Sequence, residues 1–280
     1  MGLTLSVLGS GSKGNAALIA SSSTRVLVDV GFSHRQLRER LAAVGVRPAD
    51  LSAVVVTHSH SDHICQSALK MCRKERLTIY CHSHHLPVFL TIPGFRPLND
   101  EGLVRLFEET EFTVGDLALR GFELPHDAPG CNVGLNVLYS DSGRQHKLTI
   151  ATDLGHLPAA KLSHFVDSDL IMLESNHDLT MLRDSDRPES LKARIRGDNG
   201  HLSNAQAAEA IVAIAARSRP GALKQVVLAH LSQECNDADL ALRTMRGMLS
   251  LYGFPVVAIG LTHQDRPAVF ELAAESGVRC

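Results

Sequence analysis

Residues 53–63 read Ala-Val-Val-Val-Thr-His-Ser-His-Ser-Asp-His, an apolar run that ends in three histidines and an aspartate. The apolar half has the length and β-branched content of a buried strand. Alternation along an extended chain puts His58 and His60 on one side, whereas Asp62 and His63 fall in the turn that follows. One pair can serve each of two ions, so this stretch predicts a metal site at the end of a strand.

Three further polar residues stand just past predicted apolar strands elsewhere in the chain. His126 follows a strand at 118–122, Asp153 follows one at 148–150, and His230 follows one at 225–229. Imidazole and carboxylate together suit Zn, Mn or Fe rather than Ca. These three residues are therefore candidate ligands beside the first four.

The rest of the chain alternates between strand-like and helix-like segments. Strands are predicted at 3–8, 16–20 and 25–30, as an opening meander, and at 53–57, 77–81, 169–173, 225–229 and 256–259, with a β-rich stretch over 103–151. Helices are predicted at 33–44 with Ser33 as N-cap, and at 62–74, 204–216 and 237–251. This order fits an α/β fold in which two sheets pack face to face with helices outside, as one domain over 1–280.

Segment 184–199 carries the weakest pattern. It is charged and is interrupted by Pro188, so we expect a mobile connection there, with a place over the active site as one alternative.

Composition limits the kinds of partner. The chain has 280 residues and 44% hydrophobic content, enough for a large core. Its 28 Lys plus Arg against 30 Asp plus Glu create no global basic field, and 4% aromatic content without Trp argues against binding single strands by base stacking. Any polyanion must be bound locally.

Cysteine usage and hydropathy indicate the compartment. The six cysteines form no CxxC pair in a chain too large to need disulfide staples, so we expect reduced thiols. No signal sequence and no run of about 18 apolar residues occurs. We expect a cytoplasmic protein without a membrane partner, and its oligomeric state stays open.

Candidate substrate-binding residues lie in three polar segments. His201 and Ser203 precede the predicted helix at 204–216, whose start could offer N–H donors to a phosphate. The alternative is that Ser203 or Asn204 is only an N-cap and His201 a solvated loop residue. Ser12 and Lys13 lie in the glycine-rich turn 9–15, and Asn176 follows a buried strand.

In chain order the candidate ligands form H-x-H-x-D-H, then a lone His, then an Asp and a His that each end a strand. This order resembles that of the metallo-β-lactamase superfamily. The resemblance implies an αββα sandwich of two mixed β-sheets. It also implies a distribution of the ligands: one metal bound by His58, His60 and His126, the other by Asp62, His63 and His230, and Asp153 bridging both.

Several motifs are closer to one branch of that superfamily, the YycJ/WalJ-like family of small metallohydrolases. They are Gly-Ser-Gly-Ser-Lys-Gly-Asn, Pro-His-Asp-Ala, Thr-Asp-Leu-Gly, Glu-Ser-Asn-His-Asp, Gly-His-Leu-Ser-Asn and Ala-His-Leu-Ser-x-Glu-Cys-Asn. This similarity implies a 5′-to-3′ exonuclease-like activity on DNA, support by two Mn or Zn ions, a bacterial cytosolic setting, and kinship with ribonuclease J without its inserted domain. Gly-His-x-Ser also resembles a nuclease motif that places a His on the scissile phosphate.

The leading hypothesis is a phosphodiesterase acting on DNA or RNA, in which hydroxide shared by two metals attacks the phosphorus. Asp62 and Asp153 would orient that hydroxide, and His201 would serve the leaving group. A second hypothesis is hydrolysis of a small thioester, lactone or cyclic phosphodiester on the same fold. A third, a non-catalytic metal-dependent partner protein, is disfavoured by the full ligand set.

A second group, His82, His84 and His85, follows the predicted strand at 77–81 without an acid beside it in sequence. We expect these histidines at the surface or behind the ligands, and we leave them out of the predicted site.

Overall fold

The apolar run before His58 forms strand β4 (Ala53–Val56), which is buried on both faces. Ala53 and Val55 pack into one hydrophobic cluster, whereas Val54 and Val56 pack into another. Alternate side chains of a strand point to opposite faces of the sheet. A strand without a polar face therefore lies in the middle of the molecule.

The computed structural model describes residues 2–141 and 143–272. Its helices are α1 (His34–Ala43), α2 (Gln66–Lys74), α3 (Leu86–Phe89), α4 (Phe95–Asp100), α5 (Leu179–Asp184), α6 (Glu189–Arg196), α7 (Asn204–Ala215) and α8 (Ala238–Leu251). Its strands are β1 (Leu3–Gly9), β2 (Ala16–Ala20), β3 (Arg25–Val28), β4, β5 (Thr78–His82), β6 (Val104–Phe107), β7 (Glu111–Val114), β8 (Leu117–Leu124), β9 (Asn132–Asp141), β10 (Arg144–Ala151), β11 (Leu170–Glu174), β12 (Gln225–Ala229), β13 (Ala258–Leu261) and β14 (Ala268–Leu272).

The strands form two seven-stranded mixed sheets, which confirms the predicted fold class. The first has the order β14-β1-β2-β3-β4-β5-β6 and the second β13-β12-β11-β10-β9-β8-β7. In the first sheet the strands from β14 to β3 pair antiparallel and those from β3 to β6 pair parallel. The second sheet repeats this division, with antiparallel pairs from β7 to β10 and parallel pairs from β10 to β13.

Three hydrophobic clusters separate four layers. The central cluster lies between the sheets and combines β1–β4 with β8–β12. A second cluster packs α1, α2 and α4 on the outer face of the first sheet, and a third packs α7 and α8 on the second. Both sheets thus have one face on the other sheet and one face under helices.

Parallel pairing brings strand ends together at one edge of the sandwich. In the first sheet β3 and β4 end side by side, and in the second β10, β11 and β12 do the same. The loops that follow these strands hold the candidate site residues. The fold therefore gathers segments that are far apart in sequence.

Several details differ from the sequence predictions, which also lacked α3, α4 and α5. The helix predicted at 62–74 begins only at Gln66, because residues 60–65 form hydrogen-bonded turns. The segment 184–199, expected to be a mobile connection, contains α6 and packs Ile195 in a small cluster with Leu182 and Cys235. The final strand predicted at 256–259 lies at Ala258–Leu261, and β14 was not predicted.

Five cysteines of the described residues are free, namely Cys65, Cys72, Cys81, Cys131 and Cys235. Cys280 lies outside the described residues. No helix in the ranges 2–141 and 143–272 is long and apolar enough to cross a bilayer.

Candidate metal centre

The turn after β4 places four candidate ligands next to one another. His58 and His63 are fully buried, and their rings lie 3.9 Å apart between centroids. The His60 ring lies 4.9 Å from that of His58. The turn is held by the backbone N–H groups of His63 and Ile64, which both donate to the His60 carbonyl. A short hydrogen-bonded turn therefore presents the motif as a cluster.

Asp29, which sequence analysis missed, orients this turn. Its carboxylate accepts from the Thr57 backbone N–H (2.8 Å) and from His63 Nδ1 (2.8 Å). A carboxylate on one ring nitrogen fixes the tautomer and directs the other nitrogen toward a ligand position. Asp29 follows directly on β3, but the strand predicted at 25–30 included it, so the strand-end criterion passed over it.

The second sheet supplies the remaining three candidates. His126 donates from Nδ1 to the Gly200 carbonyl (3.1 Å), which leaves its Nε2 facing Asp153 Oδ1 at 4.0 Å. Asp153 also lies 3.2 Å from His63 Nε2 through Oδ2, and His230 Nε2 lies 3.9 Å from Asp62 Oδ2. The two sheets thus bring all seven predicted ligands to one place.

The donor atoms fall into overlapping groups whose members lie within 4.8 Å of one another: His58, His60 and His126; Asp62, His63 and His230; and His58, His63 and Asp153. Within the described residues, the Nε2 atoms of His58, His126 and His230 are buried without a hydrogen-bond partner. Buried polar atoms are almost always paired, and these converge with carboxylates. The donor set fits two divalent ions that accept nitrogen and oxygen, such as Zn, Mn or Fe.

Burial and charge set the protonation of the site. Burial, aided by the neighbouring His63, lowers the pKa of His58 well below its usual value. Burial also disfavours charge on His63, but Asp29 and Asp153 outweigh it and hold its pKa well above the usual range. Burial likewise opposes ionisation of Asp153, whereas His230 and His63 keep the pKa of its carboxyl low. The site thus combines a neutral imidazole on His58, a charged one on His63 and an ionised carboxylate on Asp153.

Glu174, fully buried at the end of β11, links the candidate ligands to His201. Its Oε1 accepts from His230 Nδ1 (2.7 Å) and from His201 Nδ1 (2.9 Å), and its Oε2 accepts from the backbone N–H groups of Leu154 and Leu202. Burial raises its pKa, but His201 and His230 outweigh that effect and lower it to about 2. Glu174 therefore stays ionised and orients two rings at once.

Three residues of the site adopt the left-handed backbone region. Asp29, Asp153 and His230 have φ values of 64°, 60° and 55°. Such a conformation costs a side-chain-bearing residue about 1–3 kcal/mol. The backbone is also crowded at Gly31, where an added Cβ would lie 1.6 Å from the Asp62 carbonyl oxygen. Packing of the two sheets holds the loops in this strained form.

Several N–H groups of the glycine-rich turn 9–15 are used within the protein rather than left free for an anion. That of Gly11 donates to Asn15 Oδ1 and that of Lys13 to Gln264 Oε1. Asn15 donates its N–H to the Asp62 carbonyl (2.7 Å), and Ser10 Oγ accepts from the His230 N–H (2.9 Å). The turn instead supports the loops that carry Asp62 and His230.

At the start of α7, two of the N–H groups that we expected to be available to a phosphate are paired within the protein. Ser203 is the N-cap, accepts from the Gln206 N–H and is itself buried. The Asn204 N–H donates to the His177 carbonyl. Ser203 thus stabilises the helix and does not border the cleft. This agrees with the alternative that Ser203 is only an N-cap. His201, in contrast, is not a solvated loop residue, since only 19% of its side chain is exposed.

A cleft of about 210 Å³ opens over the candidate ligands. Ser12, Asn176 and His201 line it, whereas Lys13 and Ser203 do not. The segment 184–199 contributes Arg187 and Arg194, which sequence analysis missed as site residues. A groove of about 1100 Å³ at the far ends of β10 to β12 contains none of the predicted site residues.

The group of His82, His84 and His85 differs from expectation. His82 and His85 are buried rather than at the surface, and an acid does accompany the group. Glu123 Oε1 lies 2.9 Å from His84 Nδ1, because β8 of the second sheet approaches the end of β5. This neighbour is distant in sequence, so no local pattern could reveal it.

Comparison with known proteins agrees with this geometry. The family described as Beta-lactamase superfamily domain matches residues 24–230. The chain is 31% identical over 253 residues to the exodeoxyribonuclease WalJ of Streptococcus pneumoniae serotype 2, covering 89% of each chain. It is 30% identical over 267 residues to the exodeoxyribonuclease YycJ of Bacillus anthracis, covering 95% of this chain and 97% of that protein.

Solved structures share the fold at low identity. The metallo-β-lactamase fold protein YhfI from Bacillus subtilis superposes with a TM-score of 0.69 at 16% identity, covering 96% of this chain and 100% of that one. Unliganded yeast PDE1 superposes with a TM-score of 0.70 at 13% identity, covering 95% and 99%. With the profile match and the two relatives, these likenesses mean that the chain belongs to the metallo-β-lactamase superfamily and, within it, to the family of WalJ and YycJ.

Proposed function

We propose that this protein is a two-metal phosphodiesterase that shortens DNA stepwise from the 5′ end. Membership of the family makes it a metal-dependent hydrolase, and relatives named exodeoxyribonucleases over most of its length support a nuclease. The observation that carries the proposal is the convergence of seven donor side chains with His201 in one cleft.

The donor set divides between two ion positions. His58, His60 and His126 would hold one ion, Asp62, His63 and His230 the other, and Asp153 lies where it can reach both. Two divalent ions so held would lower the pKa of a water toward neutrality and would polarise the phosphate under attack. The nitrogen and oxygen donors accept Zn, Mn or Fe.

The protein's own groups would position the substrate and supply a proton. Glu174 holds His201 through Nδ1, so the opposite ring nitrogen is directed into the cleft and can donate to the leaving oxygen. Burial lowers the pKa of His201, but the carboxylates of Glu174 and Asp153 outweigh it and raise the pKa above its usual value. That shift favours the protonated imidazole that a general acid needs.

Phosphate contacts would come from the rim. Arg187 and Arg194 stand over the cleft, paired with Glu234 and Asp127 at its edge. Guanidinium groups match phosphate oxygens in a bidentate way. Ser12 and Asn176 add neutral polar groups at the floor. Because few cationic side chains line the cleft, it would bind only a short stretch of the nucleic-acid backbone at the end of a strand, as an exonuclease does.

We further propose a cytoplasmic location, which the five free thiols support because reducing compartments preserve them.

The decisive experiment supplies the purified protein with Mn²⁺ or Zn²⁺ and 5′-labelled single- and double-stranded DNA and RNA. We expect release of labelled mononucleotides from DNA first. A bis-aryl phosphate and a thioester serve as small substrates in parallel. Cleavage of the thioester with intact DNA would contradict the proposal, and internal DNA fragments would refute the exonuclease assignment.

A further inference from the structure

A second cluster of metal-binding side chains lies outside the candidate centre. It contains His82 at the end of β5, His84 in the turn that follows, Glu123 on β8 and Cys131 just before β9. One donor atom of each residue lies within 4.8 Å of those of the others. Two members come from the first sheet and two from the second. The cluster therefore forms only when the sandwich is assembled.

We propose that His82, His84, Glu123 and Cys131 bind a third metal ion, Zn²⁺, that ties the two sheets together. The proposal rests on this cluster alone and does not depend on the proposed nuclease activity.

Distances within the cluster suit a tetrahedral ion. Glu123 Oε1 lies 2.9 Å from His84 Nδ1 and 3.9 Å from His82 Nε2. Ligands on a tetrahedral zinc ion are about 3.3–3.8 Å apart, given bond lengths of about 2.0–2.3 Å. All four donor atoms lie within 4.8 Å of one another, as do those of His58, His60 and His126. Small side-chain rotations would close either group around an ion.

Burial supports a site that is fixed on one side and open on the other. The His82 side chain is 4% exposed and packs its ring edge-on against Phe107, whereas that of His84 is 63% exposed. An ion can therefore enter from solvent toward a preset inner ligand. The His84 backbone N–H donates to His82 Nδ1 over a long distance of 3.3 Å. This contact would be lost on metal binding, because His82 would bind the ion through Nε2 and carry its ring proton on Nδ1.

His85 holds the sulfur ligand in place. Its Nε2 lies 3.2 Å from Cys131 Sγ and 3.1 Å from the Cys131 carbonyl, to which it can donate. Metal-bound thiolates commonly accept a hydrogen bond from such a neighbour, which steadies the charge on sulfur. Binding would release the Cys131 thiol proton, as zinc binding to cysteine requires.

The donor chemistry selects zinc over manganese. Two imidazoles, one carboxylate and one thiolate suit Zn²⁺, whereas Mn²⁺ prefers an all-oxygen or nitrogen–oxygen set. No cysteine belongs to the predicted two-metal centre. In a protein supplied with both metals, the Cys131 cluster would therefore keep zinc even where the two-metal centre holds manganese.

Its place in the fold suggests what the ion does. Only four residues separate Cys131 from the predicted ligand His126, and Ser59 donates to the Pro129 carbonyl in the same loop (2.9 Å). An ion at Cys131 would anchor this loop to the end of β5. It would act as a structural tie close to the candidate centre.

Cobalt substitution tests the proposal. The full-length protein is exchanged into Co²⁺, and the near-ultraviolet absorption from thiolate bound to Co²⁺ is recorded together with the zinc content of the protein as purified. We expect the parent to show this band. Cys131→Ser should lose the band and should contain one zinc ion fewer per chain. Cys65→Ser, which changes a half-buried thiol outside the cluster, should keep both.

His84→Ala provides a second variant, since this exposed side chain can be removed with little risk to folding. It should also lose the zinc ion and weaken the band. Circular dichroism verifies that each variant is folded. Absence of the band in the parent at saturating Co²⁺, or its survival in Cys131→Ser, would overturn the proposal; survival of full zinc content in His84→Ala would overturn this ligand set.

Discussion

Glu174 shows how much one buried side chain can organise. It is fully buried, yet it accepts from two rings and two backbone N–H groups on segments 20 to 56 positions away in sequence. An ionised carboxylate in such a place is tolerable because every lone pair has a donor. The residue itself does not reach the cleft, so we assign it the positioning of His201 and His230.

Replacing Glu174 by Gln tests this assignment. The amide keeps the size but loses the charge and one acceptor, so the two rings lose their fixed orientation. We expect metal affinity to fall about 10–100-fold, measured by titration of metal into metal-free protein, with a parallel loss of DNA cleavage. Glu209→Gln on the exposed face of α7 is the control, and equal affinity in both variants would contradict the assignment.

His201→Ala separates chemistry from metal binding. Because His201 is held by Glu174 beside the predicted ligands, its loss should leave the metal content unchanged. A general acid contributes about 10²–10⁴-fold to rate, and we expect a loss in that range in kcat on DNA. Asp62→Ala and Asp153→Ala should instead lose the metals. DNA cleavage by His201→Ala at the parental rate would disprove the role.

His177 gives a pH dependence of stability. Its ring is buried, neither nitrogen has a hydrogen-bond partner among residues 2–141 and 143–272, and burial lowers its pKa to about 4. The unfolded chain then binds the proton more readily than the folded one below pH 6.5. Stability should therefore be complete above about pH 6.5 and fall as the pH drops toward 4, by at most about 1.4 kcal/mol per pH unit.

His177→Gln removes this titration. Denaturant unfolding at several pH values should show a shallower loss of the free energy of unfolding between pH 6.5 and 4 than in the parent. The same slope in both proteins would show that His177 is not protonated on unfolding in this range.

At the scale of elements, α6 is the piece that sequence patterns misjudged. It is short, begins after Pro188 and has few buried residues, so its periodicity is weak. Ile195 inserts into a cluster with Leu182, and Lys192 Nζ donates to the Arg183 carbonyl (2.7 Å). These contacts fix the helix over the cleft, which is lined by Arg194 of α6 and by Arg187 just before the helix.

Arg187→Gln and Arg194→Gln test whether the segment 184–199 binds phosphate. Each should raise KM for DNA and reduce the slope of log affinity against log salt by about one, as expected for one lost phosphate contact. The parental slope itself should be shallow, since the chain has a net charge of −2. Arg246→Gln on exposed α8 is the control. A parental slope for six or more contacts would contradict a small binding site.

At the scale of the whole molecule, the candidate centre joins the two sheets. His58, His60, Asp62 and His63 follow a strand of the first sheet, whereas His126, Asp153 and His230 follow strands of the second. Ions held by both sets would resist separation of the sheets. Binding to the folded chain alone also stabilises it by mass action.

Chelation should therefore lower the melting temperature. Each ion present at 100 times its dissociation constant contributes about 2.7 kcal/mol, which corresponds to a shift of several degrees for a domain of this size. Differential scanning calorimetry with and without chelator measures the shift. Asp153→Ala should respond less than the parent, and an equal response would show that the stabilising ions bind elsewhere.

The sandwich class and the seven candidate ligands could be predicted from the sequence, because strand periodicity and polar residues at strand ends are local signals. Glu174 follows the same signal, whereas Asp29 lies inside the strand predicted at 25–30. The packed structure was needed to show that Ser203 lies away from the cleft, that α6 covers the cleft, and that Glu123 and Cys131 meet His82 and His84. These relations depend on how the folded segments pack against each other, and residues 39 or more positions apart, such as His84 and Glu123, leave no periodic trace of such contact in the sequence.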